Sequence, residues 1–368
     1  MILHLLTEEK FTDYAIEQFE SREFCSKFVL IPSNANKYIV KNIDKVEVVN
    51  QQSPEFDKLI NSLKKYKAII LHGMHWGIWQ TTILKNIPTQ VKVAWVFWGG
   101  DLYGRSDVKF NTLAPFTKFI VETRNLLKRT KSNKNSNWEI SRMLFKKVDY
   151  CLSDEFEEYE FARKELNNSM KYCWYNYYSL EDTLGELLNK RCVGNGIVIG
   201  NSATKECNYY DVLLKVKTLD VQKRKILLPL SYGTPWIRNF VSKFGKMLFT
   251  NVYPLCDYLE RNEYNRILLN CNTMIMAHYY PQAQGNIITG LWLGMKVYLS
   301  EKNMTYHYFR RIGCKVYSIE KDLNRDNNGV FLSEDEDTIM HNREVLTYWY
   351  SKENMRQRNL KLVTLLNN

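Results

Sequence analysis

Short, almost wholly apolar runs alternate along this chain with stretches whose apolar residues recur at helical spacing. The runs at 2–6, 27–32, 45–49, 66–73 and 92–98 have the β-branched and aromatic content of buried strands. Between them, 13–19, 54–63 and 81–87 place apolar residues three and four apart. Ser53-Pro54-Glu55 adds an N-cap and a proline at the first helical position. A further strand is expected at 148–152, a charged helix at 154–166 and an aromatic strand or loop at 171–178. Strand and helix in regular alternation predict a parallel sheet covered on both faces.

The pattern starts afresh after residues 187–196, a short polar stretch that ends in Gly-Asn-Gly and reads as a linker. Strands are expected at 197–203, 225–230, 246–250, 273–277, 296–299 and 315–318. Helices are expected at 209–217, 235–244 and 256–269, with one long terminal helix over 341–366. The stretch 279–299 organises this half. It runs from a strand end through a polar turn, Gln282-Ala283-Gln284-Gly285-Asn286, into a helix bearing Ile287, Ile288, Leu291 and Leu293. Gly294 closes that helix, and a strand follows. In such a βαβ unit the helix N-terminus points its N–H groups at the carboxyl edge of the sheet, where a diphosphate would sit.

Length agrees with two halves: 368 residues exceed one ordinary core. The expected division is a domain at 1–190, a second at 191–345, and a terminal helix at 346–368 that crosses back to the first. The content, 45% hydrophobic and 14% aromatic, excludes wholesale disorder. A net charge of +11 favours an anionic partner, a phosphorylated substrate, a membrane surface or nucleic acid, although a generally basic surface explains it equally. The eight cysteines form no CxxC pair, so reduced thiols are expected rather than zinc or disulfides. The apolar start is too short for a signal peptide, and no run approaches the ~18 apolar residues of a membrane span. The segment 105–134 interleaves Lys109, Lys118, Arg124, Lys128, Arg129, Lys131 and Lys134 with apolar residues. It reads either as a contact for anionic lipid or as a solvated helix with a core face.

Candidate chemistry falls on strand ends. In the second half these are Gly200-Asn201-Ser202, Tyr232-Gly233 and Gln284-Gly285-Asn286. Small residues there let backbone amides approach phosphate oxygens. None of the three is a GxGxxG or Walker loop, so a dinucleotide or ATP site is not indicated. The first half offers His72-Gly73-Met74-His75-Trp76 and Trp98-Gly99-Gly100-Asp101-Leu102-Tyr103. Asp101, set off by two glycines, is the first candidate for taking a proton from an attacking hydroxyl, and His72 the second. Trp98, Gly99 and Tyr103 form the acceptor side, where aromatic faces could stack on sugar rings. Against this stands an ordinary reading, a buried Asp capping a turn and a histidine satisfied in the core. His278, His307 and His341 share no metal-like spacing, and no DxD pair follows a strand, so no metal is expected. The aromatic run 171–178 lacks the Arg and Gly of a nucleic-acid platform, so no nucleic-acid partner is expected.

With these residues in view the chain resembles the bacterial 4-alpha-L-fucosyltransferase family, glycosyltransferase family 56. The matching pieces are Leu71-His72-Gly73, Trp98-Gly99-Gly100-Asp101-Leu102-Tyr103, Ile199-Gly200-Asn201-Ser202, Leu228-Pro229 with Tyr232, and Gln284-Gly285. They cover roughly residues 60–310. The chain departs from the family at Ala203 and Gly100. The resemblance implies an α/β GT-B fold, two Rossmann-like domains with parallel sheets facing across a cleft. It implies transfer of N-acetylfucosamine, or a related deoxy-amino sugar, from a TDP-sugar to an undecaprenyl-diphosphate-linked saccharide. That chemistry belongs at the cytoplasmic face of the inner membrane, with peripheral contact and no cofactor. The donor diphosphate is then expected on Gln284, Gly285 and Asn286, with Gly200, Asn201, Ser202 and Tyr232 lining its pocket. Two other expectations remain open: a GT-B transferase using a UDP- or GDP-sugar in capsule or O-antigen synthesis, and a non-catalytic nucleotide-sugar or polyanion binder.

Overall fold

The computed structural model describes all residues except 33–38, 75–77, 106, 128–137, 222 and 328. The described chain divides into two compact units. The first holds Met1–Lys109, Lys134–Ser179 and Tyr350–Asn368, and the second Phe110–Asn133 and Leu180–Trp349.

In the first unit, seven described strands form one sheet in the order β3-β2-β1-β4-β5-β6-β7. They are β1 (Ile2–Leu6), β2 (Ser26–Leu30), β3 (Glu47–Val48), β4 (Ala68–His72), β5 (Lys92–Val96), β6 (Tyr150–Leu152) and β7 (Lys171–Cys173). All neighbours are parallel. The central strands β1 and β4 are buried along their whole length, because helices cover both faces. The second unit repeats the plan with six described strands, ordered β10-β9-β8-β11-β12-β13. These are β8 (Gly196–Ile199), β9 (Ile226–Pro229), β10 (Val252–Leu255), β11 (Cys271–Met276), β12 (Lys296–Leu299) and β13 (Tyr317–Ser318). In each sheet the winding reverses once, between β1 and β4 and between β8 and β11. Ligands of open parallel sheets bind beside such reversals, at the carboxyl ends of the strands.

Local rules account for the element ends. Ser53 accepts a bond from Phe56 N at 3.3 Å and starts helix Pro54–Ser62. Gly294, at φ 83°, ends helix Gln284–Leu293. Three expectations need correction. No strand forms at 246–250, because helix Pro235–Leu248 runs on through Gly245 and takes Met247 and Leu248 as its last turn. The strand lies further on at Val252–Leu255, where edge position tolerates Pro254. The helix expected over 256–269 shortens to Arg261–Leu268. The long terminal helix is two, Glu336–Tyr350 and Lys352–Asn367. They break at Ser351, whose extended backbone and hydroxyl, accepting from Asn354 N, cap the second. That last helix buries Leu362, Val363 and Leu366 in the core of the first unit.

Candidate functional site

In the second unit, three turns at the carboxyl edge are joined through one side chain. The turn after β8 opens at Gly200, whose φ is +70° and whose N–H bonds Ile275 O of β11 at 2.9 Å. A Cβ there would lie 2.5 Å from Tyr209 Oη, so only glycine fits. The turn after β9 is laced to it by Ala203 N to Tyr232 O at 2.7 Å and Thr234 N to Ala203 O at 2.8 Å. Asn201 then ties the set together. Its amide donates to Tyr232 Oη at 3.2 Å, and its carbonyl lies 2.9 Å from Nε2 of His278, in the turn after β11.

That third turn leads straight into helix Gln284–Leu293. Its N-cap, Ala283, sits in the left-handed region at φ 58° and gives no side-chain cap. Asp, Glu, Lys and Arg are absent from the first helical turn, so the positive end of the helix dipole is not offset there. Gly285 is exposed, and a Cβ on it would meet only Thr183 Cγ2, at 3.8 Å. The missing side chain therefore answers no packing demand of this chain and leaves the helix end open. Further along, Gly290 lets the helix close on Met274, where a Cβ would come within 3.0 Å.

Four residues at this edge went unplaced in the sequence reading. Lys205 follows the first turn, about half exposed and only loosely paired with Glu206 at 3.8 Å. Lys302, after β12, donates to Tyr279 Oη at 3.3 Å and lies 4.5 Å from the centre of that ring. The turn 282–286 itself holds no Lys or Arg. Cys207 and His278 are buried, 3.3 Å apart. Burial pushes the Cys207 thiol up, but His278 beside it and bonds to Asn201 and Thr204 outweigh that and bring it to about 6. His278 Nδ1 is buried without a partner. The signal was a residue type directly after each strand end, which period and composition do not mark. Ser202 is placed differently from expectation: it is buried, and its hydroxyl turns inward to Thr204 Oγ1 at 3.2 Å and Cys207 Sγ at 3.6 Å.

The first unit arranges its candidates as a structural knot. Asp101 is fully buried. Its Oδ1 accepts from Met74 N at 2.9 Å, and its Oδ2 from Trp95 Nε1 at 2.9 Å and Trp98 N at 3.1 Å. A carboxylate so used holds the turns after β4 and β5 together and offers no face to an incoming hydroxyl. His72 lies inside the core, 3.1 Å from His4 Nδ1 and 2.9 Å from Tyr177 Oη. Burial holds its imidazole down at about 3, so it stays neutral. Both side chains are buried away from solvent. The ordinary reading, a capping Asp and a core histidine, describes them. Trp98 packs over Gly73 and donates to Tyr177 Oη at 3.1 Å, partly exposed. Gly99 begins the tight turn that carries Asp101. Tyr103 is buried, donating to Glu158 at 3.2 Å and stacking on Phe161. Burial, with Asp154 nearby, pushes Glu158 up to about 8. His75 and Trp76 lie outside the described residues, as do Lys128, Arg129, Lys131 and Lys134.

Solved structures of the same architecture align over nearly the whole chain. A glycosyltransferase from Rickettsia africae ESF-5 covers 99% of this chain and 98% of its own, with a TM-score of 0.63 and 12% identity. Anabaena Alr3699/HepE in complex with UDP-glucose covers 99% of both, with a TM-score of 0.61 and 10% identity. Sucrose-phosphate synthase from Thermosynechococcus elongatus covers 99% and 98%, at 0.59 and 10%. The fold is GT-B. At these identities the likeness is one of fold. No family model matches the chain, and no curated protein matches it. Among the described residues, no group of three or more His, Cys, Asp or Glu could hold a metal ion. No described helix is long and apolar enough to cross a membrane.

Proposed function

We propose that this chain is a glycosyltransferase whose nucleotide-sugar donor sits on the second unit. Its diphosphate lies at the N-terminus of helix Gln284–Leu293. The observation that carries the reading is the Asn201 side chain, which draws three strand-end turns together at the reversal of the sheet, beside an uncapped helix start. Glycosyl transfer breaks the bond between the sugar and its diphosphate, so negative charge grows on the departing oxygen. Backbone amides at Gln284, Gly285 and Asn286, the helix dipole, Lys205 and Lys302 are the groups that would hold that charge. Asn201 and Tyr232 shape the pocket's other wall. Asp101 and His72 take positioning roles, keeping the Trp98–Tyr103 turn in shape on the acceptor side.

The resemblance supports a finer reading: N-acetylfucosamine, or a related deoxy-amino sugar, passes from a TDP-sugar to a lipid-diphosphate-linked saccharide at the cytoplasmic membrane face. A UDP-sugar is the second reading, favoured by the UDP-glucose in the Anabaena structure and the UDP-2-fluoro glucose in a related Escherichia coli structure. A thermal-shift panel of TDP, UDP and GDP decides between them. The largest rise is expected with TDP. A larger rise with UDP moves the reading to the second donor, and no rise with any nucleotide removes the donor site altogether. Release of TDP from a TDP-sugar only when lipid-linked saccharide is added tests the transfer itself.

A further inference from the structure

The second unit carries on one side a layer of three helices, Pro115–Leu127, Tyr209–Lys217 and Pro235–Leu248. The first is seated firmly on the second. Asp211 accepts from Phe116 N at 2.9 Å and from both Thr117 N and its hydroxyl at 2.7 Å. Arg124 lies over Trp236 of the third helix at 4.2 Å. Rings of Phe116, Tyr210, Phe240 and Phe244 run across all three. The layer is therefore well held, yet its outward side is not polar. Phe119 is 63% exposed, Leu126 79%, Leu127 81% and Met247 71%, far above what large apolar side chains show when their helix face is covered.

Basic residues dominate the same three helices. The three helices hold seven Lys and Arg against two carboxylates, and both carboxylates are engaged within the layer. Asp211 caps the first helix, and Glu122 pairs with Lys118. Lys243 and Lys246 sit exposed on the third helix, beside Phe240 and Met247.

We infer that this three-helix face docks on an anionic lipid bilayer. A bilayer with acidic headgroups supplies negative charge at the level of the lysines and hydrocarbon just beneath, where Phe119, Leu126 and Met247 would insert. A second copy of the chain would set the exposed Lys243 and Lys246 against the same cations. Nucleic acid would leave the aliphatic side chains without a stacking partner. The face deepens the proposed function by naming how the enzyme meets a lipid-borne acceptor. It is read without any donor present, so it holds or fails independently of the sugar chemistry.

The test is co-sedimentation of the full chain with phosphatidylcholine vesicles that contain or lack phosphatidylglycerol. The chain is expected to pellet with the anionic vesicles, far less with the neutral ones, and less at high salt. K243A/K246A should weaken anionic binding about five-fold per lysine removed. F119S/L126S/L127S should abolish it, with melting curves by circular dichroism confirming that both variants fold. Equal pelleting with both vesicle types, unchanged binding in both folded variants, or no pelleting at all overturns the proposal. A concentration-dependent dimer lost in the triple variant also overturns it, giving the face to a second copy.

Discussion

At Gly285 the demands of folding can be separated from those of the proposed diphosphate. Ala at an exposed helical position is favoured over Gly by about 0.5–1 kcal/mol, and nothing closer than 3.8 Å meets the added methyl. Gly285→Ala should therefore raise the melting temperature slightly while cutting the shift given by a nucleoside diphosphate, because the methyl stands where the phosphate oxygens would approach. An unchanged ligand shift would take the diphosphate off this helix end. Asp101 makes the opposite case. Its carboxylate meets three N–H donors, and an amide in its place must turn its own N–H toward one of them. Asp101→Asn should cost about 1–3 kcal/mol of stability, yet keep near-normal turnover per folded molecule. A collapse of kcat in the folded fraction would make Asp101 the base. Sequence position alone could not separate these two roles. A Gly-Gly-Asp turn reads the same whether its carboxylate faces a substrate or the turn's own amides, and only burial tells them apart.

At the scale of elements, the junction between β6 and helix Phe156–Leu166 has a measurable pH signature. Glu158 lies buried under Tyr103 and Ser153, and its folded pKa is about 8 against an ordinary value near 4.5. Between those values the folded state holds a proton that the unfolded state has released. This group's contribution is therefore complete below the lower value and lost as pH rises toward 8. His4 and His72 act oppositely, but only below their ordinary value of 6.5, since burial holds both folded values lower. The window from 6.5 to 8 thus isolates Glu158 within this unit. Glu158→Gln should be more stable than the parent at pH 8, with the difference shrinking toward pH 6.5 in parallel melting curves. A constant difference would refute the raised pKa. The elements themselves were largely readable, since buried parallel strands are apolar on both faces and stand out at β1, β4, β8 and β11. The exceptions have physical causes. Pro254 disguised an edge strand, and Gly245 did not stop its helix. Ser351 broke a helical pattern without any change in its apolar period.

For the whole molecule, the path of the chain between units matters more than the sheets. Periodicity shows where strands and helices form but carries no information about which core a segment joins. Residues 110–127 lie amid first-unit sequence yet pack with the second, and the last helix returns to the first. That return is anchored by Tyr350, whose hydroxyl donates to Asp154 at 3.0 Å, and by Asn359, which donates to Gln18 at 3.1 Å. Leu362, Val363 and Leu366 then complete the core around β1. Burying three such side chains contributes roughly 5–8 kcal/mol, which is comparable with the whole stability of a typical domain, about 5–15 kcal/mol. A chain ending at Tyr350 should therefore lose the first unit's melting transition. Its second unit keeps β8 to β13, Asn201 and the open start of helix Gln284–Leu293, and should still melt cooperatively and still be stabilised by a nucleoside diphosphate. Calorimetry with and without the nucleotide checks both halves of this expectation. Loss of both transitions together would mean that the second unit cannot stand without the first, and retention of both would mean that the terminal helix is not part of the first core.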